Sequence, residues 1–316
     1  MTEIPENQPA DSATLEDPGL DDRPFDPSAP LLPTGNLRRR QWASRLAVGG
    51  AAGSALLAIG VLGLVVYTVV SHGAGALSFG FLTKDPPLFG GPGGGVAPFL
   101  IGTAILVALA TAMAMPIGVL VALYITEFAD RRSARVIGGA LDLLNGLPSV
   151  VIGLFVFGLL VAGHEQSGFA ASFALAIIML PLIARTTQEV LRLVPHNMRE
   201  AADALGVTRW RTIRGVVLPS AMGGIVTATV LAAARAAGET APVLFLSSIF
   251  QPKVSLNPFG HALPNVPVSI FQLSEQADPA GYTRAWGEAF VLLSLILLAS
   301  LTARAILARN RAKLTR

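Results

Sequence analysis

The sequence contains no cysteine, which excludes disulfide scaffolds, thiolate metal sites and cysteine nucleophiles together. Charge is also scarce. Only 14% of the 316 residues are Asp, Glu, Lys or Arg, against about a quarter in an average soluble domain. Histidine is limited to His72, His164, His196 and His261. These form no HExxH pair, and neither GxxxxGK[ST] nor GxGxxG occurs, so no metal, nucleotide or other cofactor is expected on this chain. An intramembrane hydrolase fails for want of a Ser/His/Asp or metal set. The formal charge of +3 and pI near 9.7 would suit nucleic acid if the arginines were clustered with aromatics, which they are not. Apolar residues make up 52% of the chain and the mean hydropathy is +0.60. A long chain so short of solvating groups needs lipid as its solvent.

Residues 1–36 differ from the rest, with eight acidic residues against the single Arg23, and seven prolines. Such a stretch cannot bury enough apolar area to offset chain entropy, and it reads as a disordered acidic tail. It lacks the basic start and apolar core of a signal peptide. A transmembrane domain over 37–316 then follows. A membrane-spanning helix needs about 20 apolar residues. Six runs meet or approach this: Leu46–Val70, Val96–Thr126, Ile137–Gly163, Ser167–Ala184, Pro219–Phe250 and Ala285–Ala303. The third is interrupted by Asp142 and Asn145-Gly146-Leu147-Pro148, and the fourth, at 18 residues, is barely long enough. The fold class expected is all-α, with six transmembrane helices.

Lysine and arginine orient the spans. The tail, residues 127–136 and 185–218, and the segment from Arg304 onward hold 19 of them, whereas the alternate connections hold Lys84, Lys253 and Arg284. By the positive-inside rule both termini face the cytoplasm. The basic balance is a topology signal.

Residues 185–218 are long for a connection and patterned. Pro195 precedes Asn197 and Glu200, which reads as an N-cap and its capping-box partner. Gly206 is placed to end that helix in the left-handed conformation. Thr208 is positioned to cap a second short helix, Arg209–Val217, stopping at Leu218-Pro219. One reading is an amphipathic helix on lipid headgroups, favoured by Arg209, Arg211 and Arg214. The string Glu200-Ala201-Ala202-Asp203-Ala204-Leu205-Gly206, with Leu218-Pro219 downstream, resembles the EAA motif of ABC importer permeases. That resemblance implies a coupling element over 196–219 that docks on a cytoplasmic ATPase, with Glu200, Ala201, Ala202, Gly206, Leu218 and Pro219 as its residues.

Arg235 and Glu239 interrupt the fifth run. Four residues apart, they are expected on one face of the helix, with Arg235 near the bilayer midplane, where a charge costs about 2.5–3.5 kcal/mol on insertion scales. They form either a self-contained structural pair or an anion site, since the planar guanidinium fork suits a tetrahedral oxyanion. The surrounding Ala234-Arg235-Ala236-Ala237-Gly238-Glu239-Thr240-Ala241-Pro242 resembles the RAxGETAP signature of PstA-type phosphate permeases. Asn145-Gly146-Leu147-Pro148-Ser149-Val150-Val151, Arg185-Thr186-Thr187-Gln188-Glu189 and Ala262-Leu263-Pro264 are similar to that family too. The resemblance implies a type I ABC importer permease, of MetI-like architecture, in a bacterial cytoplasmic membrane. Its expected partners are a PstC-like permease, an ATPase dimer and an extracytoplasmic phosphate-binding protein, with no nucleic acid. Phosphate would pass Arg235, with Glu239 orienting it or accepting a proton. Thr240, Asn145 and Ser149 are either hydrogen-bond donors to the anion or helix contacts. The expectation is a transport subunit, not an enzyme. Alternatives are a permease for molybdate, sulfate or methionine, and a proton-coupled anion carrier, which would have no use for Glu200–Gly206.

Overall fold

A computed structural model describes residues 37–87, 93–249, 256–276 and 278–314. The acidic tail expected over 1–36 lies outside the described residues. The chain divides into two units, Met1–Val61 and Leu62–Arg316. The first is described only through α1 (Leu37–Gly73), which runs on into the second. The second continues with α2 (Phe79–Thr83), α3 (Ala97–Leu123), α4 (Arg131–Gly146), α5 (Ser149–Val156) and α6 (Gly168–Arg192). Then come α7 (His196–Ala204), α8 (Arg209–Thr212), α9 (Leu218–Ala236), α10 (Ala241–Leu246), α11 (Val266–Glu275) and α12 (Pro279–Leu314). No strand occurs among the described residues.

Five helical stretches are long and apolar enough to cross a membrane: Arg39–Ala76, Ala97–Phe128, Gly168–Arg192, Arg209–Ala236 and Pro279–Ala305. α4, with α5 and the turn Phe157–Val161, passes the same test only as a pair bent by 96°, the geometry of a broken span or a re-entrant loop. The expected third span is therefore not one rod. Pro148 drives Leu147 into extended backbone at φ −70°, ψ 134°, because a residue before proline is pushed out of the helical region.

The fifth span differs more. Its helix begins upstream, at Arg209, and passes through Leu218-Pro219 without stopping. A π turn over Ile213–Val217, closed by the Leu218 N–H on the Ile213 carbonyl, widens the backbone where the Pro219 ring would otherwise meet the preceding turn. The helix then ends at Ala236, and α10 starts after a break at 237–240. Arg235 thus sits at the end of a 28-residue rod, not in the middle of a straight span. The fourth span, in contrast, is comfortably long at 25 residues. Its Ser167 N-cap accepts from the Ala170 N–H at 3.2 Å.

Small residues set the packing. Ala110 and Ala114 of α3 are buried with Ala170, Ala171 and Ala174 of α6 in one apolar cluster, which lets the backbones approach closely. At Gly102 even a Cβ would collide with the Pro264 carbonyl. Asp142, which had marked a break in the sequence, accepts from Arg185 Nε at 2.9 Å and joins α4 to α6. The N-cap of α4 is Asp130. A hydrogen bond from the Ser133 side chain, with those from the Arg132 and Ser133 N–H groups, holds its carboxyl below the usual range.

Candidate functional site: a charged turn and a paired-helix element

The charged turn exists because α9 cannot continue past it. Gly238 weakens the helix, and the Pro242 ring would collide with a preceding helical carbonyl. The N–H groups of Gly238 and Glu239 fold back onto the carbonyls of Arg235 and Ala236, both at 3.1 Å. Arg235 therefore lies in the last turn of α9, and Glu239 lies beyond it rather than on a shared helical face. Arg235 Nε stands 3.9 Å from Glu239 Oε1, with the two side chains 59% and 18% exposed. That separation exceeds hydrogen-bond length, and among the described residues the guanidinium makes no hydrogen bond. Thr240 occupies the N-cap position of α10 without its side chain making the cap.

Glu239 also borders a cavity of about 10 Å³ with Thr103, Leu106, Val243 and Asn265, room for about one water molecule. Thr103 and Asn265 had not been recognised from the sequence. Asn265 is 3% exposed and caps α11, accepting from the Val268 N–H at 3.0 Å and donating to the Ser247 carbonyl at 3.0 Å. Asn265-Val266-Pro267 carries the readable signal, an N-cap residue with proline in the first turn. Asn145 and Ser149 flank the α4–α5 bend. Gly153 of α5 packs on Pro242, which brings α5 beside the charged turn. Among the described residues, no hydrogen bond joins Asn145 or Ser149 to Arg235, Glu239 or Thr240.

The second candidate element is α7 with α8. Gly206 has φ +69°. Its N–H reaches the Asp203 carbonyl at 2.9 Å, and that of Val207 reaches Ala202 at 3.1 Å. These two bonds are the Schellman arrangement that glycine at this position permits. The expected capping box is absent: α7 starts at His196, with Pro195 at the cap position and no side-chain cap. Proline already fixes an extended entry, so the helix starts before Asn197 can cap it. Thr208 does hold the N-cap position of α8, but through its backbone alone. Ala202 is buried, whereas Glu200 and Ala201 are exposed beside Leu205 and Trp210. Leu218 packs against the cluster of Leu191, Val194, Ile213 and Val217, while Pro219 stays exposed.

One link had left no trace in the sequence. Arg199 of α7 donates to Glu127 Oε1 at 2.9 Å, to the Val194 carbonyl at 2.8 Å and to the Leu191 carbonyl at 3.1 Å. Glu127 lies in the π turn Tyr124–Phe128 that ends the α3 rod, and its side chain is 7% exposed.

The family model of binding-protein-dependent transport system inner membrane components matches residues 114–312. The phosphate transport system permease protein PstA 1 of Mycobacterium tuberculosis is 40% identical over 215 residues, 67% of this chain and 70% of its own length. The PstA protein of Xylella fastidiosa is 36% identical over 287 residues, 87% of this chain and 96% of its own. Among solved structures, an inward-facing MetNI methionine ABC transporter matches with TM-score 0.51 and 19% identity over 68% of this chain and 94% of that one. A bacterial alginate ABC transporter, solved with an alginate pentasaccharide-bound periplasmic protein, gives TM-score 0.52 and 14% identity over 86% and 93%. These two likenesses concern the fold, which is that of an ABC importer permease. The chain belongs to the family of binding-protein-dependent transport system inner membrane components and, within it, to the PstA permeases.

Proposed function

We propose that this chain is a permease subunit of an ATP-driven phosphate importer and forms part of the transmembrane path for inorganic phosphate. The observation that carries the reading is Arg235, whose side chain is 59% exposed on the lone chain although it ends an apolar rod. A guanidinium left against hydrocarbon is costly, so this face belongs on an aqueous path, completed by a second, PstC-like permease. The unspent donors of Arg235 suit a tetrahedral oxyanion, and the relatives are phosphate transport system permeases by name. Glu239 orients the guanidinium. Thr240, with its hydroxyl free of the cap, is an additional donor, and Asn145 and Ser149, at the α4–α5 bend, are further ones.

The lysine and arginine distribution puts both termini and the α7–α8 element on the cytoplasmic side. There Leu205, 82% exposed, and Trp210, 58% exposed, offer apolar anchors beside Glu200–Gly206 to a cytoplasmic ATPase pair. ATP hydrolysis belongs to that partner, and an extracytoplasmic binding protein delivers phosphate to the opposite face.

Reconstitution with these partners in liposomes tests the reading. Labelled phosphate should accumulate only with ATP and binding protein, and a large excess of sulfate, molybdate or methionine should leave it unchanged. Accumulation of one of those solutes instead would reassign the substrate. Phosphate uptake without the ATPase would indicate a secondary carrier.

A further inference from the structure

We infer that Arg199 and Glu127 are the positioning pair through which movement of α7 reaches α3, and through α3 the charged turn at Arg235 and Glu239. The inference rests on the reading of α7–α8 as the ATPase-coupling element, and it names the part of the bundle to which that element is fastened.

Three observations converge on the π turn Tyr124–Phe128. Arg199 spends its fork on Glu127, on the Leu191 carbonyl of α6 and on the Val194 carbonyl just beyond it. One side chain thus joins α7, α6 and α3. Arg209, which opens α8, places its guanidinium carbon 5.4 Å from the centroid of the Phe128 ring, within cation–π range. Both helices of the pair therefore hold the same five residues. The turn is closed by the Ala129 N–H on the Tyr124 carbonyl at 2.8 Å. A single π turn is a point where a helix changes register while its backbone bonds stay satisfied.

The far end of α3 is fastened to the site. Thr103 Oγ1 accepts from the Val266 N–H at 2.9 Å, and Gly102 lies against the Pro264 carbonyl. Thr103 and Asn265 share with Glu239 the small cavity beside the charged turn. From Glu127 to Thr103 the rod is about 36 Å long at ~1.5 Å per residue. A displacement of α7 therefore has a contiguous helical route to the charged turn, along α3 with its internal Pro116.

A buried ion pair is a poor way merely to hold helices together. Apolar replacements of the same volume are often as stable, whereas removing one partner leaves an uncompensated charge. The apolar contacts of Leu123, Leu191, Val194 and Ile213 already fasten this end of the bundle. What the pair adds is direction: the fork fixes the angle of α7 against α3, as packing of methyl groups would not.

The test uses the complete transporter in liposomes, with Arg199→Met, Glu127→Gln and the double variant. Assembled complex, ATP hydrolysis and labelled phosphate uptake are measured together. Each single substitution should lower phosphate moved per ATP hydrolysed by about tenfold, within the usual range of coupling between sites, while hydrolysis stays within about twofold. The double variant should be no worse than the more affected single, since either change removes the same link. An unchanged ratio in both singles, or losses that multiply in the double, would overturn the inference. So would reduced assembly with a normal ratio in the complex that remains, the behaviour of a purely structural tie. Failure of the coupling reading itself would appear elsewhere, as unchanged ATPase recovery in Gly206→Val.

Discussion

Arg235→Lys is expected to lower phosphate uptake per assembled complex by about tenfold to a hundredfold, the worth of one or two charge-assisted hydrogen bonds. Lysine keeps the charge but loses the planar fork that grips two oxyanion oxygens at once. Assembly should survive, because Arg235 lies roughly 40 Å along the rod from Arg209 and the α7–α8 element, at ~1.5 Å per residue. The geometry also bounds the competing scaffold role. At 3.9 Å, with Arg235 59% exposed, the Arg235–Glu239 pair is too loose and too open to hold the bundle together. A scaffold pair would show a different pattern: less protein in the membrane for both Arg235→Lys and Glu239→Gln, with uptake per complex unchanged. Glu239→Gln should be the milder of the two if the carboxylate only orients Arg235. A loss as deep as that of Arg235→Lys would mean that it takes a proton from the anion.

Gly206→Val should reduce the ATPase that co-purifies with the permease by about tenfold, the equivalent of ~1.4 kcal/mol, since a β-branched residue held at positive φ costs on the order of 1–3 kcal/mol. Nothing lies within 4 Å of a Cβ added at Gly206, so the loss would come from the backbone and not from a clash. The two Schellman bonds would open, and the angle between α7 and α8 would be lost. Gly206→Asn is the matched control, because asparagine tolerates the left-handed region. It should retain most of the ATPase. Equal recovery with Val and Asn would remove the bend from the docking surface.

Much of this was legible beforehand because lipid imposes a simple rule on sequence. A run without charge and long enough to cross must be largely helical, and the six runs expected on that ground correspond to five long helices and one bent pair. The Gly206 bend was also readable, since glycine after an alanine-rich turn has few alternatives. What misled was proline. Leu147-Pro148 lies within one expected span, and it bends the chain by 96°. Leu218-Pro219 reads as a stop, yet a π turn carries the helix through it. Whether a proline breaks or is accommodated depends on the backbone upstream, which the residue types do not reveal. The Arg199–Glu127 link joins residues 72 apart in sequence. Either residue alone looks like an ordinary membrane-border charge, and only the packing of α6 between them brings the pair together.

The face carrying Arg235 is expected to line a water-filled path in the assembled transporter. Since the chain has no cysteine, a single introduced thiol reports on that face directly. Leu231 lies one helical turn before Arg235 and is 36% exposed. Leu231→Cys, with the partner subunits also freed of cysteine, should react with a small water-soluble anionic thiol reagent. The rate should change when ATP, binding protein and phosphate are supplied together. Reaction with a lipid-soluble maleimide alone, at a rate indifferent to all three, would place Leu231 and Arg235 against lipid and rule out the aqueous path.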